Sequence, residues 1–377
     1  MALFDDASLV TTPNGYKAGT LYSIKPTSGL GDMTVVRATT ATRVNSAGLI
    51  ESMANNVPRL DYTDSTCPSL LLEKQSTNQY PYSEDLTQWA TIGSPTITGN
   101  DSISPDGTTN ADRVQFSGSG NLVYKSGTGS AGTNVLTVYA KAKTGTAQKF
   151  SFFANGTTLI SSDFTATDQW QRFEFIYTYS AQTAGLKGAS TGASDVLFWG
   201  FQHEISSYAT SYIPTTTAAV TRNADAISKT GISSLIGQTE GVMFLNINSF
   251  QTNVNRYITI SDGTSNNYVY FRYIDSSNQI WFRIASNGVV GSVQIYTYTN
   301  PQDFIKTAIR YNNNSFDVFL NGVKIITSVG VNTLSGSMNQ LKFSYPDNTN
   351  IFQGNVKSVQ LYKTALTDQE CINLTTL

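Results

Sequence analysis

Three scarcities bound what this chain is able to do. It carries one histidine, His203, and two cysteines, Cys67 and Cys371, among 377 residues. A Ser-His-Asp or Cys-His arrangement would have to run through His203, and a zinc site of several histidines or four cysteines is excluded. The two cysteines stand far apart with no dense cysteine framework around them, so two buried free thiols are the simpler expectation than a disulfide. Charged residues make up 13% of the chain and the formal net charge is −2, against a usual charged share of about a quarter. No general attraction to nucleic acid or to an anionic membrane follows, and no Lys/Arg-rich run suggests a local patch. No stretch approaches ~18 consecutive apolar residues, so no membrane insertion is expected. The opening "MALFDDASLV" lacks the basic start and apolar core of a signal peptide, which points to a chain made in a reducing cytoplasm.

Gly, Ser, Thr, Asn and Tyr fill the space that charge leaves. Strands and turns use such residues, whereas long helices want Ala, Leu, Glu, Lys and Arg. The expected fold class is all-β: two β-sandwich (jelly-roll) domains in tandem after a short β-rich N-terminal segment.

The order along the chain supports that division. Residues 1–66 hold short strand-like runs, among them "TVVRATTATRVNSAGLIE" broken at Asn45–Gly48, and the extended piece "NVPRLDY". This segment is too short for a generous core of its own and reads as an anchor or docking element. Residues 67–205 read as the first sandwich. Leu70–Leu72 is an apolar strand and Trp89 a core anchor. In "QWQRFEFIYTYS" Phe173, Phe175, Tyr177 and Tyr179 share one face against Arg172, Glu174 and Thr178, the period-two pattern of a half-buried strand. "DVLFWGFQHE" is apolar almost throughout, as an inner strand covered on both faces would be. Residues 206–230 read as an extended connector, pinned to a neighbouring surface by Tyr208, Tyr212 and Ile213 and barred from a central strand by Pro214. Residues 231–377 hold about nine strand-like runs and read as the second sandwich. Asn321-Gly322 marks a tight hairpin, "NNN" at 312–314 another turn, and Thr367 with Glu370 a capping box that starts one short closing helix.

Sugar recognition stacks flat aromatic rings on the apolar face of a pyranose and reads hydroxyls with polar groups. In "NQIWFRIAS" Ile280, Phe282 and Ile284 share one face, leaving Trp281 and Arg283 on the other. In "NYVYFRYID" Tyr268, Tyr270 and Arg272 alternate against Val269, Phe271 and Tyr273. Trp281, Arg283, Tyr270 and Arg272 are therefore the candidate carbohydrate-binding residues, with burial in a two-sided sheet or a subunit contact as the competing reading. "SDGTSNN" (261–267) and "YPDNTN" (345–350) offer oxygens suited to calcium, but Asp, Gly and Asn also simply make turns, and turns are the expectation here. No cofactor is assigned.

"ATRVNSAGLIE", "VPRLDY", "CPSLLLEKQSTN", "YSEDL" and "WGFQHEISSYATSYIPTTTAAVTRNAD" together resemble a recurrent type of tailed-bacteriophage virion protein. In that group a jelly roll similar to a carbohydrate-binding module follows an N-terminal segment. "GNVKSVQLYKTALTDQECINL" resembles the last strand and helix of concanavalin A-like, laminin-G-type domains. His203 departs from the pattern, standing where an aliphatic residue is expected. The resemblance implies a fibre, spike or decoration protein of the virion, binding host-surface polysaccharide and touching other virion proteins through its N-terminal segment. It also implies a homo-oligomer, a trimer by preference; no heptad repeat would build it as a coiled coil. A polysaccharide depolymerase is the enzymatic alternative, and a purely architectural capsid or tail component the other. Glycoside hydrolysis needs two carboxylates about 5–9.5 Å apart, and hydrolases of the concanavalin A-like type commonly carry Glu-x-Asp-x-x-Glu on one strand. The seven glutamates (51, 73, 84, 174, 204, 240 and 370) form no such pattern, so the chain is expected not to be an enzyme.

Overall fold

Strand follows strand because apolar and polar residues alternate over short runs that turn residues interrupt. The computed structural model describes residues 3–126, 132–154, 159–178, 183–250, 255–274, 279–297, 303–312, 315–329, 334 and 337–377. Nearly all of its regular structure is β, as expected, and no helix among the described residues is long and apolar enough to cross a membrane. Tyr179 and two residues of the "NNN" turn lie outside the described residues.

The chain divides into two compact units that do not follow its order. One comprises residues 1–40, 53–74 and 224–377, the other 41–52 and 75–223. In the first unit an antiparallel sheet of eight strands faces one of nine. Between them lies an apolar core that includes Met243, Leu245, Ile258, Phe271, Phe282 and Leu361. The segment expected to be a separate anchor is part of this sandwich. Leu9–Thr11 pairs with Val359–Leu361, Met33–Val36 with the strand Ala226–Thr230, and Ser69–Leu72 with Gly354–Val356. The cause is that a short strand with unsatisfied amides and buried side chains needs ladder partners; Leu9, Leu70 and Leu72 lie in the core. Leu70–Leu72 therefore serves the C-terminal sandwich, not the one that starts after it. The Asn321-Gly322 turn has both residues at positive φ (48° and 81°), joining Ser315–Leu320 to Val323–Val329. The helix Asp368–Thr375 begins with the expected capping box and buries Cys371 against the outer side of the eight-stranded sheet.

The second unit is a sandwich of a six-stranded and a five-stranded sheet. Ser194–Glu204 is the inner strand foreseen, flanked by Thr109–Phe116 and Thr133–Ala142. Its core holds Trp89, Phe150, Phe152, Phe198 and Phe201, with Phe173 and Phe175 packed against it and Tyr177 buried inside. Two pieces expected elsewhere belong to this unit. The hairpin of Ala41–Val44 and Ile50–Met53 contributes Ile50 to a small cluster with Ala111, Trp199 and Tyr212. The supposed connector is folded onto the unit as far as Arg222: Val220–Arg222 pairs with Ser76–Asn78, and Tyr212 and Ile213 are buried. Gly200 explains this docking, because Tyr212 and Tyr139 atoms stand 3.3 Å from where its Cβ would be, and its φ is +67°.

Candidate functional site

Several of the motifs quoted from the sequence converge on buried networks. In the first unit Arg59 pairs with Glu73 at 2.6 Å and with Asp225, and Arg37 reaches the same Asp225 at 2.9 Å. All four side chains are at most 3% exposed. In the second, Glu204 accepts hydrogen bonds from Ser76, from Gln202 at 2.7 Å, and from the amide and hydroxyl of Thr210 at 2.9 and 2.6 Å. Those carboxylates satisfy donors that would otherwise be orphaned inside the protein.

His203 is fully buried. Asn134 donates its amide to the Gly132 carbonyl, so its Oδ1 accepts from His203 Nε2 at 3.1 Å. Nδ1 then keeps its lone pair with no partner, and burial holds the imidazole down to about 4. A base so deprotonated, tucked beside Tyr80 and Tyr177, is a packing element. Four more glutamates are also occupied. Glu51 pairs with Arg43, Glu174 accepts from Ala209 N, and Glu370 belongs to the capping box. Glu84 accepts from Tyr212 Oη at 2.8 Å, and burial raises its pKa. Asn110 bridges it to Asp106, at 3.0 and 3.4 Å, while Asp106 also closes its own turn on Ser104 and Thr108.

The cysteine expectation is half corrected. Both thiols are free and Cys371 is buried, but Cys67 is exposed, because it sits in the loop before Pro68 outside any strand. The two loops with oxygens suited to calcium are turns in which Asp262 accepts from Thr264 and Asn267, and Asp347 from Thr349. Among the described residues no three His, Cys, Asp or Glu side chains gather where they could hold a metal ion.

The four sequence-derived binding residues do meet. Tyr268–Ile274 and Gln279–Ser286 are adjacent strands, with Arg272 opposite Trp281 and Tyr270 opposite Arg283. Ile280, Phe282 and Ile284 point to the core, so the four lie on the outer face. There they stack chiefly on one another. The Arg272 guanidinium lies 5.0 Å from the Trp281 ring and 5.3 Å from Tyr257, and Arg283 lies 5.7 Å from Tyr268. Tyr270 is 1% exposed, so its ring has no face left for a ligand. Trp281 Nε1 is tied to Gln279. The ladder is a cation–π array, with Trp281, Arg272 and Arg283 half-buried at its rim and the Nε atoms of both arginines buried without a hydrogen-bond partner.

A more open aromatic surface lies on the second unit, where sequence reading placed no site. The outer face of its six-stranded sheet carries Leu122 and Tyr124, Thr183, Gly185 and Lys187, then Phe153 and Ile160, on neighbouring strands. They line a trough of about 650 Å³. Tyr124 and Phe153 meet edge to face at 6.3 Å. Gly185 separates them: a Cβ there would meet the Val123 carbonyl oxygen at 2.2 Å. Ile92 and Ile160, each about half exposed, stand at its margins. Lys187 is the one charged side chain in the lining among the described residues. The signal for this site was weak, because Tyr124 and Phe153 lie ~30 residues apart on strands whose pairing is not sequential.

Comparison with known proteins adds one family assignment to a part of the chain. The model for the concanavalin A-like lectin/glucanases superfamily, of the laminin-G type, matches residues 242–371. No curated protein matches the chain. Among solved structures, the CBM40 module of the Ruminococcus gnavus IT-sialidase bound to α2,3 sialyllactose is 14% identical, covering 38% of this chain and 86% of its own, with a TM-score of 0.34. Domain 4 of an extracellular GH43 arabinanase from Geobacillus stearothermophilus, in complex with arabinotriose, is 12% identical over 45% of this chain and 82% of its own, at 0.33. The native heptameric SAP-like pentraxin of Limulus polyphemus is 13% identical over 36% and 68%, at 0.30.

Proposed function

We propose that this chain is a non-catalytic glycan-binding protein of a tailed-phage virion, a fibre, spike or decoration component whose second unit holds host-surface polysaccharide in the Tyr124–Phe153 trough. The observation that carries the binding reading is the trough itself. Its volume falls in the range of small-molecule sites, roughly 300–1,000 Å³, and it joins aromatic rings to a few polar groups. The half-buried Tyr124 ring, backed by the buried Phe153, offers a flat apolar platform to a pyranose, while Ser126, Thr183 and Lys187 reach hydroxyls or acidic groups. The virion assignment and a trimeric assembly rest on the motif resemblance.

That the protein holds rather than cleaves is supported by the duties of the carboxylates described above, which seal turns, loops and buried arginines. One observation favours the depolymerase alternative, the approach of Glu84 and Asp106 through Asn110. A glycan array followed by product chromatography separates the two. Wild-type protein is expected to retain polysaccharide without releasing fragments, and Tyr124→Ala to bind about tenfold more weakly, as losing one stacked ring costs about 1–1.5 kcal/mol. Fragments that vanish with Glu84→Gln would replace this reading by the enzymatic one.

A further inference from the structure

A second recess on the same unit lies where the Ala41–Val44/Ile50–Met53 hairpin covers the five-stranded sheet. Its volume is about 360 Å³, and it is bordered by Leu49 and Ile50 from the hairpin, Ile103 and Pro105, and Tyr139, Lys141 and Trp170 from the sheet side. We infer that this cleft is a distinct binding site for a single carboxylate-bearing pyranose, a hexuronate-type residue, stacked on Trp170 with its carboxylate at Lys141.

The walls are fixed in place. Trp170 donates its indole N–H to the Ile103 carbonyl at 3.1 Å. Tyr139 is held by Trp199, 5.6 Å away at 61°, and by the Arg172 guanidinium 5.5 Å from its ring. The hairpin is tied down by the Ile50 amide on the Pro105 carbonyl at 2.9 Å, and Leu49 packs over Gly107, where a Cβ would come within 3.1 Å of it. Such a platform is ordered before any ligand arrives, which lowers the entropic cost of binding.

Charge selects the ligand. Among the described residues Lys141 is the one charged side chain in the lining. Three carboxylates of the surrounding segments are already taken: Asp101 by Lys143, Glu51 by Arg43, and Asp106 by Ser104, Thr108 and Asn110. The Lys141 ammonium has no ion-pair partner among the described residues. A peptide strand is disfavoured because the strand that carries Tyr139 and Lys141 is no sheet edge. Thr133–Ala142 is paired on both sides, with Gln171–Thr178 and Ser194–Glu204, so it offers no free backbone for augmentation. A ring that stacks and carries one negative charge matches what is offered.

The site stands independently of the trough, and the experiment keeps the two apart. The four indole N–H signals of the intact chain are followed by NMR during titration with the methyl glycosides of glucuronic and galacturonic acids and of their neutral parents. The Trp170 signal is expected to shift saturably with at least one uronide, and that uronide to bind roughly tenfold tighter than its neutral parent, the value of one charge-assisted contact. Lys141→Gln removes the preference while the remaining spectrum stays that of the folded protein, and Tyr124→Ala leaves it intact. The inference is overturned if neither uronide moves the Trp170 signal up to on the order of 50 mM, about 1.8 kcal/mol of binding, or if the acidic preference survives Lys141→Gln.

Discussion

At the scale of single residues, the interior of this protein is unusual for what it keeps charged or nearly so. Arg59 is buried between Glu73 and Asp225, and a buried ion pair is sensitive to the loss of one partner because the other charge then stands alone. Arg59→Ala is expected to destabilise the first unit by about 3–5 kcal/mol, read as a lower midpoint in chemical denaturation, and a shift within experimental error would contradict the network's role. His203 makes a prediction with a sign. Its folded pKa of about 4 lies below the ordinary 6.5, so the unfolded chain binds the proton first. The stability it supports is complete above pH 6.5 and is lost as pH falls toward 4, by roughly 3 kcal/mol at most. Asp112 acts the other way. Burial holds it up to about 6, so its contribution is complete below its ordinary 3.8 and fades as pH rises through 6. The test is therefore the difference between wild type and His203→Gln from pH 7 to 4: wild type should lose stability more steeply on acidification, and parallel curves would refute the assignment. The departure of His203 from an aliphatic residue was visible in the sequence, but the residue's tautomer and lack of a charge partner depend on Asn134 and Tyr177, distant positions that only folding brings near.

At the scale of elements, legibility followed locality. The Asn321-Gly322 hairpin, the Thr367 cap, the buried strand Ser194–Glu204 and the two-faced pattern of Phe173, Phe175 and Tyr177 were all readable, since each is set by neighbours within about ten residues. What failed to show was the company each strand keeps. Leu70–Leu72 looked like the first strand of the sandwich that follows it, yet its ladder partner is Gly354–Val356, some 280 positions away. The break at Asn45–Gly48 was legible, but the run before it is two strands, Met33–Val36 and Ala41–Val44, that belong to different units, and the place of the hairpin over Trp199 and Tyr139 had no sequence signal. The binding surfaces divide likewise. Alternation correctly put Tyr270, Arg272, Trp281 and Arg283 on one outer face, but could not foresee that they would stack on each other. The trough and the cleft each draw residues from three or more non-consecutive stretches. One element-scale consequence is direct. A chain starting at Ala41 lacks Leu9–Thr11 and Met33–Val36, exposing the edges of Gly354–Tyr362 and Ala226–Thr230. Limited proteolysis should then digest residues 224–377 while the fragment from 75 to 223 persists; equal resistance of both would show the N-terminal strands to be dispensable.

At the scale of the whole molecule, two sandwiches are built from an interleaved chain, and several of the quoted motifs lie in the buried contacts that secure this interleaving. Surface chemistry is left to the aromatic trough, to the hairpin cleft and to the rim of the Trp281 ladder. This distribution suits a protein that presents surfaces to glycans, with its polar interior devoted to holding two sheets in place. The most direct check is an array of bacterial surface polysaccharides probed with wild-type protein and Tyr124→Ala, each retained glycan being recovered and sized. The account predicts retention of at least one polysaccharide at its original length by the wild type and marked loss of it with Tyr124→Ala. Equal retention by both proteins, no retention of any polysaccharide, or recovery of shortened chains would contradict it.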